Sequence, residues 1–220
     1  MTRNAAWLGG SFLGVALFCL WSYVHLDPQL PFCFLSLPHG LVRAFKVVTR
    51  LGSSTWILVG SALLFVLTRY VRRAPRAAER FLFIFAAVAV SGLVTDVLKW
   101  VCGRHRPEML VQHARYGFEW FHGLHKQTSF PSGHANTITA FALALTLLYP
   151  RYWGLFVPLA LLVSASRVVL RQHFLSDVVF GAYLAVVTTL FLKRVFERRS
   201  TGLFARAPGL SHEPPGDACP

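Results

Sequence analysis

Charged residues are scarce. They make up 14% of this 220-residue chain, and only nine are acidic. A soluble domain usually carries ~25% charged residues, so the shortage excludes a protein that lives wholly in water. Disorder is excluded for most of the chain as well, because it requires low hydrophobicity and 55% of the residues are hydrophobic. Cysteine is sparse and unpatterned: Cys19, Cys33, Cys102 and Cys219 have no metal-type spacing and form no Cys-x-x-Cys. Cys33 and Cys102 can share one side of a membrane, but spacing alone does not pair them. No internal repeat is evident.

What the chain has in excess is apolar blocks with positive charge between them. Lys and Arg number 22, giving a net charge of +13. A balance this basic raises nucleic-acid binding, but charge confined to the gaps between apolar blocks is a membrane protein's pattern. Six stretches stand out: Ala5 to Val24, Ser53 to Thr68, Phe81 to Val101, Ser132 to Leu148, Gly154 to Val169 and Ser176 to Leu192. A spanning helix takes ~20 residues, so six use roughly 120 and leave no room for a second domain. The expectation is an all-α, polytopic membrane protein: a six-helix domain over residues 1–199, then a flexible tail at 200–220 rich in Pro, Gly and Ser. The first stretch follows Arg3, as a signal peptide would. It is long for that, and no small-x-small site follows Trp21-Ser22-Tyr23, so we read a retained helix.

Orientation follows from Lys and Arg. With six spans, the N-terminus, the 69–80 loop, the 149–152 turn and the tail share one side and hold twelve of the 22 cations. The positive-inside rule then makes both termini cytoplasmic. The cluster Arg69, Arg72, Arg73, Arg76 and Arg80 reads as this topology signal rather than as a nucleic-acid patch. On the outer side, Leu41, Phe45 and Val48 share one helical face, and Arg43, Lys46 and Arg50 another. That spacing fits a short helix lying in the interface; an irregular connector broken by Pro28, Pro31 and Pro38 is the alternative for its first half. The loop from Gly103 to Phe130 is rich in His and aromatics, among them His113, His122 and His125.

Ionisable groups at the edge of a membrane helix cost ~2.5–3.5 kcal/mol each at the bilayer centre on insertion scales, so they point to function. Ser91, Thr95 and Lys99 recur every four residues and make one polar stripe, with Asp96 beside it in what we read as a structural role. Arg106-Pro107 follows just beyond. The fourth stretch opens Pro131-Ser132-Gly133-His134, the composition of a helix start with free N–H groups, which binds anions and phosphate especially. Ser166-Arg167 closes the fifth, and His173 and Asp177, four apart, begin the sixth. On one helical face, such a carboxylate can hold the imidazole in one tautomer. Each signal alone has a structural reading: a snorkelling Lys, a helix cap, a structural His–Asp pair. The six-span topology puts all of them on the outer face.

Together these residues resemble the type 2 phosphatidic acid phosphatase superfamily of integral-membrane lipid phosphatases, which shares its active-site core with vanadium haloperoxidases and some soluble acid phosphatases. Its first motif, Lys-x6-Arg-Pro, matches Lys99 through Arg106-Pro107. Its second, Pro-Ser-Gly-His, matches Pro131 to His134, and its third, Ser-Arg-x5-His-x3-Asp, matches Ser166-Arg167, His173 and Asp177. The resemblance implies that Lys99, Arg106, Arg167, the Ser132 hydroxyl and the Gly133 N–H bind the phosphoryl group. It also implies that His173 attacks phosphorus to give a phosphohistidine, that Asp177 orients it, and that His134 serves as acid and then base. No metal or other cofactor is needed in that scheme. His113, His122 and His125 lack the carboxylate or Cys partners of a metal site.

The expected substrate is a lipid phosphate at the outer, periplasmic-side interface: undecaprenyl diphosphate, phosphatidylglycerophosphate, phosphatidic acid or a lipid A phosphate. Arg104, Lys126 and Arg171 add charge that can either hold a second anionic group or solvate the loop. Two other classes fit some of the pattern, a non-catalytic carrier of lipid phosphates and a vanadate-dependent haloperoxidase.

Overall fold

The structure, a computed structural model, describes residues 2–121, 128–199 and 203–204. His122, His125, Lys126, Cys219 and most of the tail fall outside the described residues. Regular structure in the described residues is helical: α1 (Thr2–His25), α2 (Leu30–Cys33), α3 (His39–Arg50), α4 (Ser54–Val66), α5 (Pro75–Cys102), α6 (Pro107–His113), α7 (Gly133–Leu148), α8 (Trp153–Val169) and α9 (Leu175–Arg199). No strand occurs among them, only an isolated bridge between Arg104 and Phe118.

Five segments are long and apolar enough to cross a membrane: Trp7–His25, His39–Val71, Pro75–Cys102, Pro150–Val169 and Leu175–Arg199. The expected fourth stretch, α7, has only 16 residues and is shorter than such a span. It is the central helix, packed against α5, α8 and α9. Its small residues Ala135, Ala140 and Ala144 are fully buried, which lets those neighbours approach closely. A helix enclosed by protein does not have to match the bilayer by its own length, because the backbone beyond its ends is covered. The outer helices instead turn Trp7, Leu63, Leu93 and Leu161 outward. Apolar surface on that scale is that of a multi-pass integral membrane protein, where lipid replaces water.

Helix ends extend past the apolar stretches into the charged flanks. Proline at the first position starts α5 at Pro75, and α9 runs on to Arg199. The long Arg side chains at those ends can reach the interface. The amphipathic segment after Pro38 is helical from His39 and packs on α8. It meets α4 at Gly52, where a Cβ would lie 2.8 Å from Val163 Cγ1. The core joins Phe83, Ile84, Ala87 and Val88 of α5 to Ala140 and Ala144 of α7 and Ala185 of α9. Two residues of the expected tail, Leu203 and Phe204, pack onto this core, with the Phe204 ring edge-on to Phe83 at 5.0 Å.

Candidate active site

The site forms where four helix ends meet. Gly103, at φ 51°, takes the left-handed conformation that stops α5, and its N–H donates to the Lys99 carbonyl. Lys99 therefore sits in the last turn, 3.7 Å from the Asp96 carboxylate. The role read for Asp96 is thus an ion pair. A Cβ on Gly133 would lie 2.8 Å from Lys99 Nζ, so the missing side chain is what brings the ammonium onto the start of α7. Lower on the stripe, Ser91 Oγ donates to Asn136 Oδ1 at 2.5 Å, and Asn136 Nδ2 donates to the Gly181 carbonyl.

Ser132 is the N-cap of α7, but its hydroxyl caps nothing. Its Oγ is buried without a hydrogen-bond partner, while its backbone N–H donates to the Asp177 carbonyl at 3.0 Å. A buried, unsatisfied hydroxyl is costly and calls for an explanation; a ligand anion would supply one. The first-turn N–H groups of α7 have no preceding turn to bond, which makes the same spot electropositive. Gly181 permits the crossing, since a Cβ there would lie 2.6 Å from the Ser132 carbonyl.

Arg167 comes from the last turn of α8, and His173 from the turn between α8 and α9. Arg167 is buried; one terminal nitrogen donates to Thr49 Oγ1 at 2.8 Å, and its Nε has no partner. The His173 N–H reaches the Arg167 carbonyl at 3.3 Å. Arg106 is also buried and reaches Gln172 Oε1 at 3.5 Å. Lys99, Arg106 and Arg167 all act electrostatically on both His134 and His173. Burial pushes the His173 imidazole well below its ordinary range, and Arg167, Arg106 and Lys99 push it further. His173 is therefore neutral at pH 7.

Its tautomer is set by a partner that sequence did not suggest. His173 Nδ1 lies 2.8 Å from the Ser129 carbonyl oxygen. A carbonyl only accepts, so Nδ1 carries the proton and Nε2 presents its lone pair. This revises the role expected for Asp177, whose nearest oxygen is 3.9 Å from Nδ1, outside hydrogen-bond range. The carboxylate is already occupied. One oxygen accepts from Ser129 Oγ at 2.6 Å and from the Phe174 N–H at 2.9 Å, the reach-back of a capping box. The other accepts from Arg104.

Arg104 likewise departs from expectation. It is 1% exposed and lies between Asp27 and Asp177, so it is not available to a second substrate anion. Its guanidinium also donates to Ser176 Oγ and Tyr116 Oη and lies against the rings of Tyr23, Tyr116, Phe118 and Phe174. Burial works to lower its pKa, but Asp177 and then Asp27 raise it above the ordinary value. Asp27 also accepts from Ser22 Oγ, Ser176 Oγ and the Ser176 N–H. One signal for Asp27 was available: it is the only acidic residue before Glu79. A lone carboxylate next to an apolar span needs a buried partner. Ser129 gave no signal, because it meets His173 through its backbone carbonyl.

A cavity of about 560 Å3 runs from Lys99, Gly133 and His134 down between α4, α5 and α7, where Leu58, Val88 and Leu93 line it. Cys19, Cys33 and Cys102 are free thiols, so the Cys33–Cys102 pairing left open by the sequence is not made. His113 lies in the last turn of α6, and His105 is 3.5 Å from Glu119.

The family model of the PAP2 superfamily matches residues 80–201. The lipid A 1-phosphatase of Rhizobium johnstonii is 32% identical over 163 residues, covering 68% of this chain and 67% of that protein. The lipid A 1-phosphatase of Rhizobium etli is 31% identical over 171 residues, 71% of this chain and 74% of that one. Among solved structures, a transmembrane PAP2-type phosphatidylglycerolphosphate phosphatase from Bacillus subtilis superposes with a TM-score of 0.57 at 20% identity, over 86% of this chain and 98% of that one. With the matched segment running from near the start of α5 through the His173 turn to the end of α9, the chain belongs to the PAP2 superfamily.

Proposed function

We propose that the protein is a membrane lipid phosphatase that transfers the phosphoryl group of its substrate first to His173 Nε2 and then to water. The observation that carries the reading is the His173 Nδ1 bond to the Ser129 carbonyl, which leaves Nε2 as a lone-pair donor beside three cations. The names of the relatives support the activity class, and the cavity leading from Lys99 into the apolar helix faces supports a lipid substrate.

Lys99, Arg106, Arg167, the Ser132 hydroxyl and the α7 N–H groups hold the phosphoryl oxygens. Such preorganised donors are worth about 2.7–4 kcal/mol apiece in the transition state. As Nε2 forms its bond to phosphorus, the ester P–O bond breaks and the leaving oxygen takes a proton from His134. A water molecule then attacks phosphorus and gives a proton to His134, and the N–P bond breaks to release phosphate. Asp177 serves this step by fixing Ser129 and, through it, the imidazole. The fixed cations carry the charge, so the scheme runs without a metal.

The chain crosses the membrane six times in this reading, with α7 as the short central crossing, both termini cytoplasmic and the site at the outer face. Among candidate substrates a lipid A phosphate ranks first, ahead of undecaprenyl diphosphate, phosphatidylglycerophosphate and phosphatidic acid. The test is phosphate release from these four lipids in mixed micelles, with His173→Ala as control. Release by the wild type alone supports the proposal. Lipid binding without release indicates a carrier, and peroxide-dependent halide oxidation with added vanadate indicates a haloperoxidase.

A further inference from the structure

A second cavity, of about 480 Å3, is lined by Arg167 and lies between α3, the 34–37 segment and the end of α8. Three further bases, His39, Lys46 and Arg171, line it, and no acid does. Lys99 and Arg104 have carboxylate partners, whereas none of the ion pairs among the described residues involves His39, Lys46 or Arg171. Glu108 borders a smaller cavity of about 190 Å3 that Arg171 also touches, and its carboxylate accepts from Gln112. Positive charge gathered in a concave space without counter-charge is an anion site in waiting.

Its placement is specific. Thr49 binds Arg167 at 2.8 Å, and Lys46 is one helical turn before Thr49 on the same face of α3. Arg171 is held at φ 55°, the left-handed conformation that ends α8, by its N–H bond to the Val168 carbonyl. Few non-glycine residues adopt that backbone. Phe34, Leu37 and Val42 supply an apolar wall beside these bases. Arg167 is common to this cavity and to the phosphoryl site.

We infer that the cavity holds a second anionic group of the same substrate molecule, sharing Arg167 with the phosphate that is cleaved. The substrate class is then a lipid whose headgroup carries two phosphate-type anions. This rests on the reading that Arg167 grips the scissile phosphate.

The test is equilibrium binding, which does not depend on turnover. Calorimetry on the purified full-length protein in detergent compares decyl methylenebisphosphonate with decyl phosphonate. The wild type should prefer the bisphosphonate, and Lys46→Ala and Arg171→Ala should each cut that preference about tenfold, the worth of a charge-assisted contact. Arg43→Ala, which alters a cation of α3 outside this cavity, should leave the preference intact. No preference in the wild type, or one that survives both cavity substitutions, overturns the inference. Intact bisphosphonate preference in a protein that releases no phosphate from any lipid would instead remove the phosphatase reading and leave the second site standing.

Discussion

His173 and Ser129 are joined through the imidazole Nδ1 and a backbone carbonyl, 2.8 Å apart, while the carboxylate four residues along the chain stands 3.9 Å away. Nitrogen-15 spectra of histidine-labelled protein, with His173→Ala for assignment, should show one neutral imidazole protonated at Nδ1. Because burial and three cations lower its pKa, that signal should stay neutral as the pH falls through 6.5, the ordinary histidine value. The sign is definite: a lowered pKa means protonation, and loss of the nucleophile, only in more acid solution. A resonance that titrates at or above 6.5 contradicts this environment.

The pair of Arg104 with Asp27 and Asp177 calls for a stability experiment. Removing one member of a buried charge pair typically costs about 3–5 kcal/mol, because the survivor is left uncompensated. Arg104→Met, which leaves both Asp27 and Asp177 without their cation, should therefore lower the thermal midpoint in detergent sharply, although Arg104 itself holds no part of the phosphoryl group. A melting curve equal to wild type would show that the pair bears no structural load.

How far the sequence led is clearest at these same residues. The motif side chains were legible because charge at the end of an apolar helix is expensive, and Lys99, Arg106, Arg167 and His173 all lie around the α7 start. The partner of His173 was not legible, because any residue type at 129 supplies a carbonyl. Arg104 misled: a cation in an outer loop reads as solvent-facing until Asp27, far away in the chain, is seen to meet it. The helical blocks followed their apolar patterns, and α7 matches the short stretch read from Ser132 to Leu148, which protein surrounds.

Two glycines should separate function from folding. In Gly133→Ala the new methyl meets only the flexible tip of Lys99, so phosphate release should fall at least tenfold with little change in thermal stability. In Gly181→Ala the methyl meets the Ser132 backbone, which cannot retreat, and the overpacking should cost about 1–3 kcal/mol. Equal melting temperatures for the two variants would contradict this account of the α7–α9 crossing.

Chelation and inhibition bear on the source of catalytic charge. Excess EDTA should leave phosphate release unchanged, and vanadate should inhibit competitively, since its trigonal-bipyramidal form resembles the transferring phosphoryl group. Activity that vanishes with EDTA and returns with a divalent cation would contradict a site that relies on its three fixed cations.

Covalent transfer to the imidazole is tested most directly by trapping in an alkaline detergent quench with a lipid labelled at its phosphate by phosphorus-32. Wild-type protein should carry label that is stable to alkali and lost in acid, as a phosphoramidate is, and His173→Ala should carry none and release no phosphate. Phosphate release by His173→Ala at near the wild-type rate would contradict the account at its centre.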